Sequence, residues 1–322
     1  MGNTSFATKP SSGIFEPSAN TIIKKSNIVS DVGSHISESP AKSTSLVDVQ
    51  PLVDIVALTL QTAFVTDAVD GYRPASLLLI AKPESGKTTT IKEFDGLPFI
   101  YYSDEISVKP LIDKVFPKIQ TRETRIIMTS DILNSIKKQK STREPLLQTL
   151  KSLVDEGVKK VDTYHKHYEF KTPIKAGLIS GITRSEFYAS QGRYSFFSDF
   201  KRYGFLSRLI PFTYEYPLDR LDKIFHYVMS GKAENSTVII PKIRQPTREK
   251  QYDLNEPLFQ HLQRISHKLA QYSDSYGIRI QKNLQKLCYA NAFLNNRDYV
   301  DREDIEKILY LSRWMNFDFN PL

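Results

Sequence analysis

One segment constrains this chain more than any other: LLLIAKPESGKT, residues 77–88. Its apolar run is typical of a strand buried on both faces, and it leads at once into a glycine-lysine-threonine turn and a helical run. The general pattern is G-x-x-x-x-G-K-[ST], in which loop amides and a lysine hold phosphate. Here Ala81 stands at the position of the first glycine, so its backbone must avoid the region open only to glycine.

This segment predicts how a nucleoside triphosphate is held. Gly86 lets the backbone approach phosphate, Lys87 is expected to contact the β and γ phosphates, and Thr88 is expected to offer its hydroxyl to Mg²⁺. ATP and Mg²⁺ are therefore the predicted cofactors. The predicted ATP-binding residues are Pro83, Glu84, Ser85, Gly86, Lys87, Thr88 and Thr89. A bare GKT triplet also occurs by chance, but the flanking strand and helix favour nucleotide binding.

Further β-rich runs follow this segment and alternate with helical runs. Helical crossovers between strands indicate a mainly parallel sheet that is covered on both faces. The sequence therefore predicts an α/β fold with five parallel strands. The strands are expected at residues 77–80, 99–102, 125–130, 176–183 and 209–214.

Composition and periodicity divide the chain into four predicted regions. Residues 1–45 are rich in Ser, Thr, Pro and Gly, which indicates a disordered arm. Residues 46–220 are predicted to form the ATPase core, which opens with a dense apolar helix. Residues 221–252 are predicted to be a linker, and residues 253–322 a helical lid domain.

Three helices are expected in the predicted lid, near residues 256–272, 278–295 and 302–316. Asp301 is expected to be the N-cap of the last helix. The inner face of that helix is predicted from its apolar positions: Ile305, Ile308, Leu309 and Met315.

A magnesium-bound triphosphate also needs a carboxylate at the end of a neighbouring strand. Asp131 ends the third predicted strand and is assigned as a Mg²⁺ ligand together with Thr88, whereas Asp104 is interpreted as a loop residue after the second strand. Ile132 follows Asp131, so the glutamate that would activate water is absent at that position. Either Asp131 acts alone, or another acid contributes, or hydrolysis is slow.

The positive charge of the chain is concentrated in one stretch. The net charge is +8, and residues 137–175 contain ten Lys or Arg but only five Asp or Glu. A hairpin predicted there interleaves lysines with aromatic rings, which pairs phosphate-binding charge with stacking surfaces. The candidate nucleic-acid residues are Lys159, Lys160, Tyr164, Lys166 and Lys171. An ordinary solvated β-ribbon explains the same pattern equally well.

Several classes of protein receive no support. No apolar run is long enough to span a bilayer, and the N-terminus lacks a secretory signal pattern, so a cytoplasmic, intracellular protein with no membrane partner is expected. The single cysteine, Cys288, excludes an intramolecular disulfide. His165 and His167 lack partners at ligand spacing for zinc, and no Ser-His-Asp or Cys-His arrangement is evident.

The order of these features resembles the AAA+ ATPases, and among them the minichromosome-maintenance (MCM) helicase branch. The likeness lies in the phosphate loop with Pro83 midway, in the insert that contains VKKVDTYHKHYEFKTPIKAG, and in the segments GLISGIT (177–183) and GFLSRLIPF (204–212). Residues 279–309 are similar to the lid of that family. The chain also looks like the P-loop proteins carried by phages and mobile elements.

The resemblance implies roles that the residues alone do not establish. Thr183 would position water or sense phosphate, Arg208 would be the arginine finger inserted into a neighbouring subunit's site, and Arg279 would be the second sensor. With Asp131 they form the predicted catalytic set. The alternatives are a Thr183 that only caps the next helix, an Arg208 that only ends a strand, and an Arg279 that is merely solvated at a helix start.

The same resemblance implies a homo-oligomer, expected to be a hexameric ring, that hydrolyses ATP and acts on DNA as a helicase or translocase, with the basic hairpin lining its pore. Two alternatives stay open. The missing glutamate also fits a nucleotide-switched DNA-binding, loader or scaffold protein that hydrolyses little or no ATP. A ring could also act on a protein substrate.

Overall fold

The computed structural model describes residues 41–42, 46, 48–68, 71–162, 167–189, 196–216, 218, 221–230, 238–271 and 276–316. The strands are β1 (Ala41–Lys42), β2 (Val65–Thr66), β3 (Leu77–Ala81), β4 (Ile100–Tyr102), β5 (Ile126–Thr129), β6 (Val158–Asp162), β7 (His167–Ile174), β8 (Gly177–Thr183), β9 (Ile210–Phe212), β10 (Ile239–Ile240) and β11 (Lys250–Gln251). The helices are α1 (Gln50–Gln61), α2 (Lys87–Lys92), α3 (Val108–Pro110), α4 (Phe116–Gln120), α5 (Leu133–Ile136), α6 (Lys140–Val154), α7 (Arg184–Tyr188), α8 (Phe196–Arg202), α9 (Leu221–Ser230), α10 (Glu256–Ala270), α11 (Ile278–Leu294) and α12 (Arg302–Leu311). A π-helical segment, Leu111–Val115, joins α3 to α4, and a 3₁₀ turn, Leu206–Arg208, precedes β9.

A parallel sheet of five strands lies at the centre, in the order β4-β5-β8-β3-β9. The predicted α/β fold with five parallel strands is therefore confirmed, and each strand lies within two residues of its predicted ends. Side chains alternate across β3, where Leu77 and Leu79 belong to one hydrophobic core and Leu78 and Ile80 to the other. This alternation follows from the two-residue period of a strand.

Helices cover both faces of the sheet. One core contains α1 together with α10, α11 and α12, and the other contains α6, α7 and α8. Helix α6 buries the stripe that its sequence predicts: Leu146, Leu147, Leu150, Leu153 and Val154. Because the C-terminal helices share the first core with α1, the described residues from position 41 onward belong to one compact unit.

Helix α12 begins as its sequence predicts. Asp301 forms a capping box with Asp304, which is fully buried and also receives hydrogen bonds from Arg297 and Asn291. The predicted inner face needs one correction, because Leu309 is 44% exposed. The buried positions of α12 follow its helical period through Asp304, Ile305, Ile308 and Leu311, and Leu309, four residues after Ile305, lies at the exposed margin of that face.

The first described residues, Ala41 and Lys42, belong to the predicted arm and pair antiparallel with β10. The rest of the predicted arm lies almost entirely outside the described residues, and the other predicted region boundaries stay predictions. Within the described ranges, no helix combines the length and apolar character that crossing a membrane requires.

Candidate functional site

The predicted loop residues 83–89, Asp131 and Thr183 lie at the carboxyl edge of the sheet. Strand β3 ends at Ala81, which pairs in register with Thr183 at the end of β8, and Asp131 follows the next strand, β5. The carboxyl ends of parallel strands meet at one edge, where ligands of such sheets bind. Ala81 is the last residue of β3, so its backbone is extended. An alanine can therefore stand where the motif has glycine, because this conformation is open to any residue.

The loop after β3, residues 82–86, has an unusual backbone. Glu84 has φ +63° and Gly86 has φ +79°, so two of its five residues are left-handed. A non-glycine residue in this conformation costs roughly 1–2 kcal/mol. Alternating backbone conformations of this kind turn successive amides toward one concavity, which suits an anion. Gly86 is also crowded, since a Cβ there would lie 3.3 Å from the Tyr216 hydroxyl oxygen.

Lys87 folds back into this loop. Its ammonium nitrogen donates to the carbonyl oxygens of Ala81 and Lys82, at 3.0 and 2.7 Å, and to the hydroxyl oxygen of Ser85 at 3.1 Å. Lys87 is only 9% exposed, and within the described residues no carboxylate forms an ion pair with it. Burial lowers the pKa of Lys87, and the Asp131 charge opposes that effect. A buried cation held by neutral oxygens favours an entering anion.

Asp131 is half-buried beside this ammonium. Burial raises the pKa of its carboxyl, Glu186 adds to the rise, and the Leu133 amide, which donates to Asp131 Oδ1 at 2.9 Å, opposes it. Gly181 of β8 allows this end of β5 to approach closely, because a Cβ at Gly181 would lie 2.4 Å from the Ser130 carbonyl oxygen. The strand pairing therefore determines where Asp131 lies.

The oxygen atoms here suit a magnesium ion. A threonine hydroxyl and a carboxylate are hard oxygen ligands of the kind that Mg²⁺ prefers. Thr88 is exposed in the first turn of α2, as is Thr89, while Ser85 lies buried in the loop. In the part of the chain that the structure describes, no group of three or more His, Cys, Asp or Glu side chains could hold a metal. The chain thus offers Thr88 and Asp131, and phosphate and water would complete the coordination.

Thr183 and Asp104 complete this edge. Thr183 stands at the start of α7, but its side chain makes no capping hydrogen bond, so the structure gives no support to the capping interpretation. Asp104 lies in the loop after β4, where it accepts hydrogen bonds from the hydroxyls of Tyr102 at 2.6 Å and Ser130 at 3.4 Å.

In the loop after β3, residues 82–86, the predicted residues Pro83 and Glu84 are exposed.

Arg208 and Arg279 lie together at the other edge of the sheet. Arg208 comes two residues before Ile210, which pairs with Leu77, the first residue of β3. The five residues of β3 separate this amino edge from the phosphate loop by about 16 Å. Arg208 Nε lies 3.0 Å and Arg279 Nη2 3.1 Å from Asp155 Oδ2. Neither arginine therefore serves the phosphate loop of its own chain.

Asp155 and Arg73 were not predicted as site residues. Arg73, which is 3% exposed, lies 3.9 Å from Asp155 Oδ1, so three arginines surround one carboxylate. We name this group the arginine cluster: Arg73, Arg208 and Arg279 around Asp155. A signal was present in the sequence, because acidic residues directly after a helix C-terminus are disfavoured by the helix dipole and need a compensating cation. Asp155 and Glu156 follow α6 in this way.

The predicted hairpin forms as β6 and β7, and it packs inward through Phe170 on Phe116, with ring centroids 6.1 Å apart. Lys159, Lys160 and Lys171 are exposed, whereas Tyr164 and Lys166 lie outside the described residues. Exposed carboxylates accompany these lysines, since Lys160 pairs across the strands with Glu169 and lies 3.8 Å from Asp162. The described part of the hairpin is only weakly positive as a result.

A scan of the sequence against protein-family models gives no match, and a search of curated proteins gives none either.

Asp131→Asn should raise the stability of the ligand-free protein at neutral pH. The raised pKa means that the folded state binds the Asp131 proton more tightly than the unfolded state, so ionisation opposes folding at every pH above the ordinary aspartate value. Urea unfolding should show a higher midpoint for the variant at pH 7 and a smaller difference as the pH falls toward about 4. Asp95→Asn, at an exposed position, is the control and should change little. A destabilised Asp131→Asn protein would contradict this prediction.

Proposed function

We propose that this chain is a P-loop ATPase of the AAA+ type that binds Mg²⁺–ATP at the carboxyl edge of its sheet. One observation carries the proposal: the Lys87 ammonium is buried in a loop with two left-handed residues, and its partners are neutral oxygens. A triphosphate would replace those neutral acceptors with anionic oxygens and add the attraction of opposite charges to each hydrogen bond.

The neighbouring residues then have distinct roles. Lys87 would hold the β and γ phosphates, Thr88 and Asp131 would hold Mg²⁺, and Thr183 would orient water at the end of β8. Bound Mg²⁺ neutralises charge on the transferred phosphoryl group. Catalysis would come mostly from positioning and from fixed charges, because α2 and the ends of β5 and β8 already order these groups.

The arrangement of the arginine cluster supports an oligomer. Arg208 and Arg279 are about 16 Å from the phosphate loop of their own chain, so they can stabilise a triphosphate only in a neighbouring copy. Head-to-tail contacts of one edge with the opposite edge generate a ring if the rotation closes. We therefore propose a closed ring, of which a hexamer is the form implied by the resemblance, with α10, α11 and α12 acting as the lid.

We propose DNA as the polyanionic partner of this ring. The support is the net charge of +8 and the three exposed lysines of the hairpin, Lys159, Lys160 and Lys171. Motor activity and a nucleotide-dependent switch both use such a surface. One observation favours the switch: Ile132 is fully buried after Asp131, so no water-activating acid can project from that position. ATPase rates with and without single-stranded DNA separate these two functions.

Lys87→Ala tests the nucleotide site. Loss of charge-assisted hydrogen bonds should weaken Mg²⁺–ATP binding by about 10- to 100-fold and abolish turnover. Isothermal titration calorimetry gives the affinity, and phosphate release gives the rate. Lys92→Ala, an exposed lysine in the same helix, is the matched control and should bind normally. Equal Mg²⁺–ATP affinity of the Lys87→Ala variant and the wild type would contradict the proposed function.

Arg208→Ala tests whether the arginines act on a neighbouring copy. An arginine supplied by a neighbouring subunit accelerates phosphoryl transfer by roughly 10³-fold or more. The Arg208→Ala variant alone should therefore be nearly inactive while still binding ATP. Mixing it with Lys87→Ala protein should restore turnover, because one variant supplies the intact site and the other the intact arginine. Arg202→Ala, 49% exposed at its side chain, is the control. A mixture as inactive as its components would exclude action between copies.

Reversing the charge of Lys159, Lys160 and Lys171 to Glu tests the DNA surface. The salt dependence of single-stranded DNA affinity, measured by fluorescence anisotropy, should lose about 0.7 in slope for each phosphate contact removed. A triple variant with the same charge change at Lys109, Lys118 and Lys268, which are all exposed, controls for net charge. If both triple variants lose the same affinity, the hairpin has no special role.

A further inference from the structure

One carboxylate joins three separate parts of the chain at the amino edge. Asp155 Oδ2 accepts from Arg279 Nε at 3.3 Å and lies 3.0 Å from Arg208 Nε, while Arg73 lies on its other oxygen. Arg73 precedes β3, Arg208 precedes β9, and Arg279 is in the first turn of α11. Asp155 thus determines the distance between two side chains that would act together on one phosphate tail.

Helix α11 is fixed against this cluster along one face. Asn283 and Lys286 follow Arg279 at helical spacing, and all three reach the same region. Asn283 Oδ1 accepts from Arg73 Nη2 at 3.4 Å, and Lys286 Nζ, which is 1% exposed, donates to the Arg73 carbonyl oxygen at 2.6 Å. The described cations around Asp155 are Arg73, Arg208 and Arg279, and these contacts of α11 hold Arg279 beside the other two.

The two carboxylates differ in how firmly they hold Arg208. Its Nε lies 3.0 Å from Oδ2 of Asp155, which is 15% exposed, as a close ion pair without hydrogen-bond geometry, and its Nη1 donates to the Gly204 carbonyl oxygen at 2.5 Å. Its Nη2 lies 3.7 Å from Glu156, which is 77% exposed. A loose, exposed ion pair contributes about 1 kcal/mol or less, so the Glu156 contact is easily displaced. A guanidinium stays protonated when buried, so the Asp155 contact is costly to lose.

We propose that Asp155 is a positioning residue that holds Arg208 and Arg279 as one anion-receiving pair for the nucleotide phosphates of a neighbouring copy. This inference rests on the proposed function, since it names how the arginines of that function are held ready. Asp155 acts through the arginines and touches no nucleotide.

Asp155→Asn keeps the shape of the side chain and removes its charge. The assembled protein should lose about 10- to 100-fold in kcat, the range expected when reacting groups are misplaced by about 1 Å. Its Mg²⁺–ATP affinity, which depends on Lys87, should stay unchanged. Glu156→Gln, at the neighbouring position, is the matched control and should keep its kcat within about threefold, since exposed pairs contribute little.

Mixed assemblies show whether the defect lies in the arginines. Asp155→Asn protein mixed with Lys87→Ala protein should regain turnover, because intact arginines then face intact phosphate loops. The same protein mixed with Arg208→Ala protein should not. A variant that was merely misfolded would fail in both mixtures, so restored activity in the first excludes a general folding defect.

Two outcomes overturn the proposal. An unchanged kcat in Asp155→Asn would show that Asp155 does not position the arginines. If the wild type still binds ATP normally in that case, the proposed function is unaffected. If the wild type binds no nucleotide, the proposed function fails, and hydrogen exchange then decides about Asp155. Amides of residues 206–209 and 278–282 should exchange about 10-fold faster in Asp155→Asn than in Glu156→Gln. Equal exchange in the two variants would reject the positioning role.

Discussion

Both candidate sites depend on the parallel pairing of β3 with β8 and β9. Because all three strands run the same way, the phosphate loop and Thr183 leave the sheet at one edge, while Arg73 and Arg208 approach it at the other. If β8 or β9 ran antiparallel to β3, groups that now lie at opposite edges of the sheet would lie at the same edge. The two edges therefore carry different chemistry, with one buried ammonium at the carboxyl edge and a set of guanidiniums at the amino edge.

Each edge brings cations close together. Among the described residues, the hydrogen-bond acceptors of the Lys87 ammonium are neutral oxygens, and the arginine cluster centres on the partly buried carboxylate of Asp155. Buried cations are stable only when an anion or several dipoles compensate them. A single triphosphate placed between two copies would supply negative charge to both edges at once. In the proposed ring, nucleotide binding would therefore be coupled to assembly.

Several unfavourable local features of the fold lie at these edges. Glu84 adopts a left-handed backbone, burial raises the pKa of the Asp131 carboxyl, and Arg208 and Arg279 converge on one oxygen atom. Other parts of the described chain also depart from the ordinary rules, since Asp48, Arg122 and Asn296 are left-handed and Pro145 lies inside α6. Local conflict with those rules is expected where function requires it, because the surrounding core supplies the compensating stability.

Sequence alone determined the features that depend on near neighbours. The strand positions, the turn after β3, the buried stripe of α6 and the Asp301 cap all follow from periods and motifs a few residues long. The order of the strands, the exposure of Leu309 and the meeting of Arg208 and Arg279 at Asp155 were decided only by tertiary structure. Asp155 lies 53 residues before Arg208 and 124 before Arg279, and no local pattern relates residues so far apart. Their contact results from packing α11 and β9 against the same edge of one sheet.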